Sequence, residues 1–150
     1  MIDLEHASHC IYKIRYHMVF CIKYRKKLLI DKDRIEFFKE VCSEIGKRYW
    51  FTFDAIGTDG DHIHVFVGAA PRYAPSNVMQ IIKSITAKNI FKKYPEIKKQ
   101  LWGGHFWSEG GYIGTVGDGV TADIVKGYVE KQGTDEEKEG FSQMKLLDFE

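Results

Sequence analysis

Disulfide chemistry has almost nothing to work with in this chain. The three cysteines, Cys10, Cys21 and Cys42, are odd in number and show no CxxC spacing. That excludes a disulfide framework and a zinc ribbon, and it suits a reducing cytoplasm. No apolar run approaches the roughly 20 residues of a membrane span. The opening MIDLEHASHC lacks the apolar core of a signal peptide. A cytoplasmic location and no membrane partner are therefore expected. Internal repeats and low-complexity segments are absent, and there is no marked excess of one charge, the net value being +1.

What is present is a compact composition. At 44% hydrophobic and 14% aromatic residues in 150, the chain fits one soluble domain that buries about two-thirds of its unfolded surface. The near-neutral total hides an asymmetry. From Thr134 to Glu150 there are six acids against two lysines, so residues 1–133 carry +5. A moderately basic body, 1–133, with an acidic tail, 134–150, is compatible with a polyanionic partner. The tail shows no persistent period, and partial disorder is expected there.

The chain is organised around DHIHVFVG, residues 61–68. Read as a strand, it puts Ile63, Val65 and Val67 on one face and His62, His64 and Phe66 on the other. Two imidazoles side by side on a rigid strand can grip a divalent metal and leave positions open for a substrate. Upstream, residues 10–25 read as one long strand. Tyr12, Ile14, Tyr16, Met18, Phe20 and Ile22 share a face; Lys13, Arg15, His17, Cys21 and Lys23 share the other. With Arg25, Lys26 and Lys27 at its exit, the polar face forms a basic strip that could track a phosphate backbone.

A helix from Asp31 or Asp33 to about Trp50 carries Ile35, Phe38, Val41, Cys42 and Ile45 on one stripe. A strand over roughly Phe51–Ile56 leads through GTDGD into the histidine strand. If that hairpin pairs tightly, Asp54 falls near His64 and could orient it. After the loop AAPRYAP, Ser76 caps a helix to about Tyr94, decorated by Lys83, Lys88, Lys92 and Lys93, and Pro95 stops it. A short basic connector and a last strand near His105–Val116 follow, with Gly110-Gly111 breaking its alternation. Trp102, Phe106 and Trp107 read as core or interface; His105 has no motif around it. Gly114, Gly117 and Gly119 suggest a hinge before a helix from Thr121 to Gln132, with Gly133 past its end. On that helix Tyr128 and Gln132 stand at i and i+4, on one face.

The order strand–helix–strand–strand–helix–strand is the ferredoxin-like pattern. It implies an α+β fold: a four-stranded antiparallel sheet, two helices on one face, and here a further C-terminal helix. That fold decides nothing about function. The motifs go further. YHMVFCIKYRKKLL, DHIHVFVGAAPRYAPSNVMQIIKSITAK and FWSEGGYIGTVGDGVTADIVKGYVEKQ resemble, in order over roughly residues 10–132, the blocks of the single-tyrosine HUH transposases. These are the transposases of minimal insertion sequences that move as single-stranded DNA.

The resemblance implies roles. His62, Ile63 and His64 match the HUH element, Tyr128 the nucleophile, and Gln132 the residue completing a site for Mg²⁺ or Mn²⁺. The implied reaction cuts and rejoins single-stranded DNA at hairpin-marked ends through a 5′-phosphotyrosine. The family is dimeric, so a homodimer with sites shared between subunits is expected. Contacts to DNA are expected from Arg15, Lys23, Arg25, Lys26, Lys27, Lys83 and Lys88. Two other readings remain open: a non-enzymatic single-strand binder stacking bases on Tyr12, Tyr16 and Phe66, and a domesticated relative that nicks host palindromes.

Overall fold

A computed structural model describes residues 4–7 and 10–117. In chain order these form β1 (Glu5–Ala7), β2 (Cys10–Tyr12), β3 (Tyr16–Cys21), a 3₁₀ turn at Lys23–Arg25, α1 (Lys32–Tyr49), β4 (Thr52–Thr58), β5 (His62–Gly68), α2 (Pro75–Lys93), α3 (Pro95–Gln100) and β6 (Tyr112–Thr115). β4, β5, β3 and β6 lie side by side in that order, every pair antiparallel. This is the ferredoxin-like arrangement that the element order implied. The helix expected at Thr121–Gln132, the hinge residue Gly119, and the tail lie outside the described residues.

Pleating divides β3 and β5 into two sets. Met18 and Phe20 on β3, with Ile63, Val65 and Val67 on β5, enter one core with Phe38, Val41 and Ile45 of α1 and Val78, Ile82 and Ile90 of α2. The β-branched and aromatic residues of both strands suit the pleated surface, and the helical stripes cover it. The opposite face is not a wet polar surface. Val19, His62, His64 and Phe66 are buried there too, so the two central strands are covered on both sides.

The long strand expected over 10–25 is broken in three. β3 pairs only from Tyr16, opposite Val67 of β5 and Thr115 of β6, because both partner strands end at that level. Residues 10–12 turn away and pair with Glu5–Ala7 as a separate ribbon. In the gap, Arg15 is buried and folds its guanidinium over Gly68, where any β-carbon would strike it. At the other end, Tyr24 and Arg25 take left-handed backbone angles and the chain leaves the sheet.

Proline is read differently by the structure at Pro95. It ends α2 but also opens α3 as the first helical residue, where its missing N–H costs nothing. The expected connector is therefore a helix. α2 likewise starts on Pro75, one residue ahead of Ser76, with Ala74 at the cap position. Phe106 and Trp107 join the core as expected, whereas Trp102 stands almost wholly in solvent. Gly110 and Gly111 have positive φ and interrupt the last strand before Tyr112. Gly114 belongs to β6, paired with His17. The expected hinge over Gly114–Gly119 therefore does not include Gly114.

Candidate active site

The site is built on the face of β5 turned away from the helices. His64 lies across from Val19 on β3 and Gly57 on β4; His62 lies across from Cys21. The two rings sit 5.1 Å apart between centroids and 70° between planes, with both side chains buried.

Each ring is held through Nδ1. His62 Nδ1 is 2.8 Å from Oδ1 of Asp61, the residue just before it. Asp61 Oδ2 in turn accepts from Arg25 Nε at 3.3 Å. Burial opposes ionisation of Asp61, but the hydrogen bond from His62 and the charge of Arg25 outweigh it and hold the carboxyl below its usual range. His64 Nδ1 is 2.9 Å from Nε2 of His17. The His17 ring stacks on Phe66 at 4.5 Å and 5°, which sets its plane, and meets the Tyr112 edge at 5.6 Å.

With Nδ1–H the donor to Asp61 or to His17, the lone pair of each ring stands on Nε2, the tautomer a metal ligand needs. Two neutral imidazoles in this state fit a divalent ion. Among the described residues no group of three or more His, Cys, Asp or Glu side chains gathers, so the set would be completed from elsewhere. The expected third ligand Gln132 and the nucleophile Tyr128 both lie outside the described residues.

Asp54 does not orient His64. The hairpin register puts Gly57 opposite His64, while Asp54, left over in a bulge between Phe53 and Ala55, pairs with Arg15 at 2.6 Å. Among the described residues, the groups bonded to Nδ1 of the histidines are Asp61 and His17. Asp61 is the first residue of the motif stretch, and His17 shares the β3 face with Cys21. Asp61 adjoins its ring in sequence, whereas only the pairing register of β3 and β5 brings His17 to His64.

The expected DNA contacts divide. Lys26, Lys27 and Lys88 are exposed; Lys23 and Arg25 are half-buried at the exit of β3. Arg15 is buried and bridges Glu5 and Asp54. Lys83 Nζ donates to the carbonyls of Ser108 and Gly110 at 2.7 and 2.8 Å, and burial lowers its pKa from the ordinary lysine value. Both spend their charge within the fold. Of the aromatic residues considered for base stacking, Tyr16 faces the core and Phe66 is buried beneath His17.

Residues 10–132 match the IS200-like transposases across the stretch that holds these histidines. The chain belongs to that family. It is thereby a single-tyrosine HUH transposase, a protein of DNA transposition. It is 28% identical over 131 residues to the ISDra2 transposase TnpA of Deinococcus radiodurans, covering 87% of this chain and 92% of that one. To the transposase of insertion element IS200 from Salmonella typhimurium it is 23% identical over 143 residues, with 92% and 88% covered. A solved candidate transposase from Deinococcus radiodurans superposes with a TM-score of 0.68 at 25% identity, over 85% of this chain and 97% of the other. A REP-associated tyrosine transposase bound to a REP hairpin has the same fold, with a TM-score of 0.58 at 12% identity, over 88% and 73%.

Proposed function

We propose that this transposase cuts and rejoins single-stranded DNA at hairpin-marked ends of its element through a 5′-phosphotyrosine intermediate. The observation that carries the reading is the oriented histidine pair: His62 held by Asp61 and His64 by His17, each through Nδ1. With Gln132 as third ligand, the pair would hold Mg²⁺ or Mn²⁺. A bound ion supplies Lewis-acid polarisation of the scissile phosphate.

The chain's own groups do the rest. Tyr128 attacks phosphorus through its phenolic oxygen, forming the tyrosine O–P bond as the P–O3′ bond breaks. The phenolic proton leaves to solvent, and the departing 3′ oxygen takes one up. Because the phosphodiester linkage is exchanged rather than hydrolysed, a free 3′-hydroxyl can reverse the step without ATP. Lys23, Arg25, Lys26, Lys27 and Lys88 bind the phosphate backbone; Arg15 and Lys83 support the segments around them. That the REP-associated transposase was solved with a hairpin supports a hairpin substrate here. The acting species is a homodimer whose sites combine His62 and His64 of one subunit with Tyr128 and Gln132 of the other.

The test is a covalent band. Wild-type protein incubated with single-stranded hairpin DNA and Mn²⁺ is expected to give a denaturant-resistant adduct that EDTA prevents. Tyr128→Phe is expected to bind the hairpin and give none. An adduct formed by Tyr128→Phe, or one formed in EDTA, would refute the assignment.

A further inference from the structure

Among the described residues three large aromatic side chains stand in solvent, Trp50, Trp102 and Tyr24, and the last two lie together. Trp102 is 87% exposed and Tyr24 is 55% exposed. They come from segments far apart in sequence that are fastened together. The Tyr24 hydroxyl donates to the Trp102 carbonyl at 3.1 Å. Beside it, Lys23 N–H donates to Phe106 O, and Ser108 N–H to Cys21 O, both at 2.8 Å. Trp107 and Phe106, buried next to this seam, anchor the loop to the core. The backbone of the two segments is therefore held together, while the Trp102 ring contributes nothing to the core.

The backbone is strained to present it. Tyr24 sits at φ 60° and ψ 14°, and Arg25 also has positive φ. Two consecutive non-glycine residues in the left-handed region carry a cost of order 1–3 kcal/mol each, and such costs persist mainly where a side chain must be aimed. Gly103 and Gly104 take the same region just after Trp102.

Charge then selects the ligand. Lys23 Nζ lies 5.7 Å over the Tyr24 ring. Lys98, on the second segment, brings its stem 3.7 Å from where a β-carbon on Gly104 would be and holds its ammonium 5.8 Å over the Phe91 ring. Of the acids on the second segment, Glu96 lies 3.7 Å from Arg34, and Glu109 is exposed beside Ser108, on the side of Lys83. Exposed aromatic faces on segments that also carry lysines match unpaired nucleobases on a phosphate backbone. A purely apolar partner would gain nothing from the lysines.

We propose that Tyr24 and Trp102 form a stacking platform for unpaired bases of single-stranded DNA, separate from the histidine site. This deepens the reading above and rests on it in one respect, that the protein binds single-stranded DNA at all.

The experiment measures binding of fluorescein-labelled dT20 and of a blunt 20-base-pair duplex to the full chain in EDTA, so that the histidine site plays no part. Trp102→Ala is expected to weaken dT20 about 5- to 150-fold, the range of one lost base–aromatic stack, and to leave duplex binding and thermal stability unchanged. Trp102→Phe is expected to restore most of the dT20 affinity. In a Trp50→Phe background, Trp102 is the remaining exposed tryptophan, and dT20 is expected to quench its emission. Wild-type protein that binds neither dT20 nor a hairpin would overturn the DNA-binding reading and this platform together. Protein that binds the hairpin, shows no quenching and loses nothing in Trp102→Ala would overturn the platform alone.

Discussion

Oδ1 of Asp61 lies 2.8 Å from Nδ1 of His62, and the second oxygen of the same carboxylate faces Arg25. One carboxylate thus joins the His62 ring to a cation at the exit of β3. On the proposed reading, a ring so held has its tautomer and its plane chosen before an ion binds, which is how groups behind a ligand raise metal affinity. His17 does the corresponding work for His64 from a neighbouring strand.

Asp61→Asn should therefore weaken Mn²⁺ binding by about 10- to 100-fold, the usual cost of losing such a partner. Calorimetric titration of the variant reads this directly. The amide keeps the volume, so unchanged affinity would mean that the carboxylate does not set the ring. Asp61 also has a lowered pKa in the fold. Its stabilising effect is thus complete at neutral pH and is lost as pH falls through and below the ordinary carboxylate range. The variant's acid unfolding should lack that contribution.

The basic residues should separate into two groups by salt dependence. Lys26→Ala and Lys27→Ala are expected to leave the melting temperature unchanged. Each should make the log–log salt dependence of hairpin binding shallower by about 0.7 for every phosphate it no longer neutralises. Arg15→Met should do the reverse, because its guanidinium bridges Glu5 and Asp54 in a buried place. Both carboxylates are partly exposed and can be rehydrated, so a loss of about 1–3 kcal/mol is expected rather than the full penalty of a stranded buried charge. Denaturant unfolding and a salt titration on the same variants check both halves. A steep change of slope in Arg15→Met would assign it to the DNA instead.

Cys42 should be inert in the native protein. Burial pushes its thiol up to about 12, so little thiolate exists near neutrality to react. Alkylation at pH 8 followed by peptide mapping should label exposed Cys10 and spare Cys42 until the protein unfolds. The sign of the pH effect follows. The unfolded thiol ionises near its ordinary 9.0 while the folded one stays protonated to about 12. Stability therefore falls as pH rises through that window, by at most about 1.4 kcal/mol per unit. Cys42→Ala should remove this slope.

Shared sites predict complementation. A double variant, His62→Ala with His64→Ala, and the single variant Tyr128→Phe are each expected to be inactive alone. When subunits exchange, a heterodimer with sites shared between chains contains one site with every wild-type residue, and cleavage returns. Verified heterodimers that stay dead would place Tyr128 and the histidines of one site in the same subunit.

The sequence by itself determined the sheet's layering and the identity of the histidine strand. A period of two in residues 61–68, and apolar stripes of helical spacing in α1 and α2, are local properties that survive any packing. They assign Ile63, Val65 and Val67 to one face and His62 and His64 to the other without knowledge of a partner strand. The ordered blocks carrying the family likeness were equally legible, being a matter of residue spacing along the chain. Tertiary structure alone decided which groups stand behind each imidazole. The bulge at Asp54 moves that carboxylate to Arg15, and the antiparallel register of β3 brings His17 to His64. The same holds for the lysines: a charge reads alike in sequence whether it faces solvent, as at Lys88, or caps loop carbonyls, as at Lys83. Register and burial are relations between distant segments, settled only when the β-strands pair and one face is excluded from water.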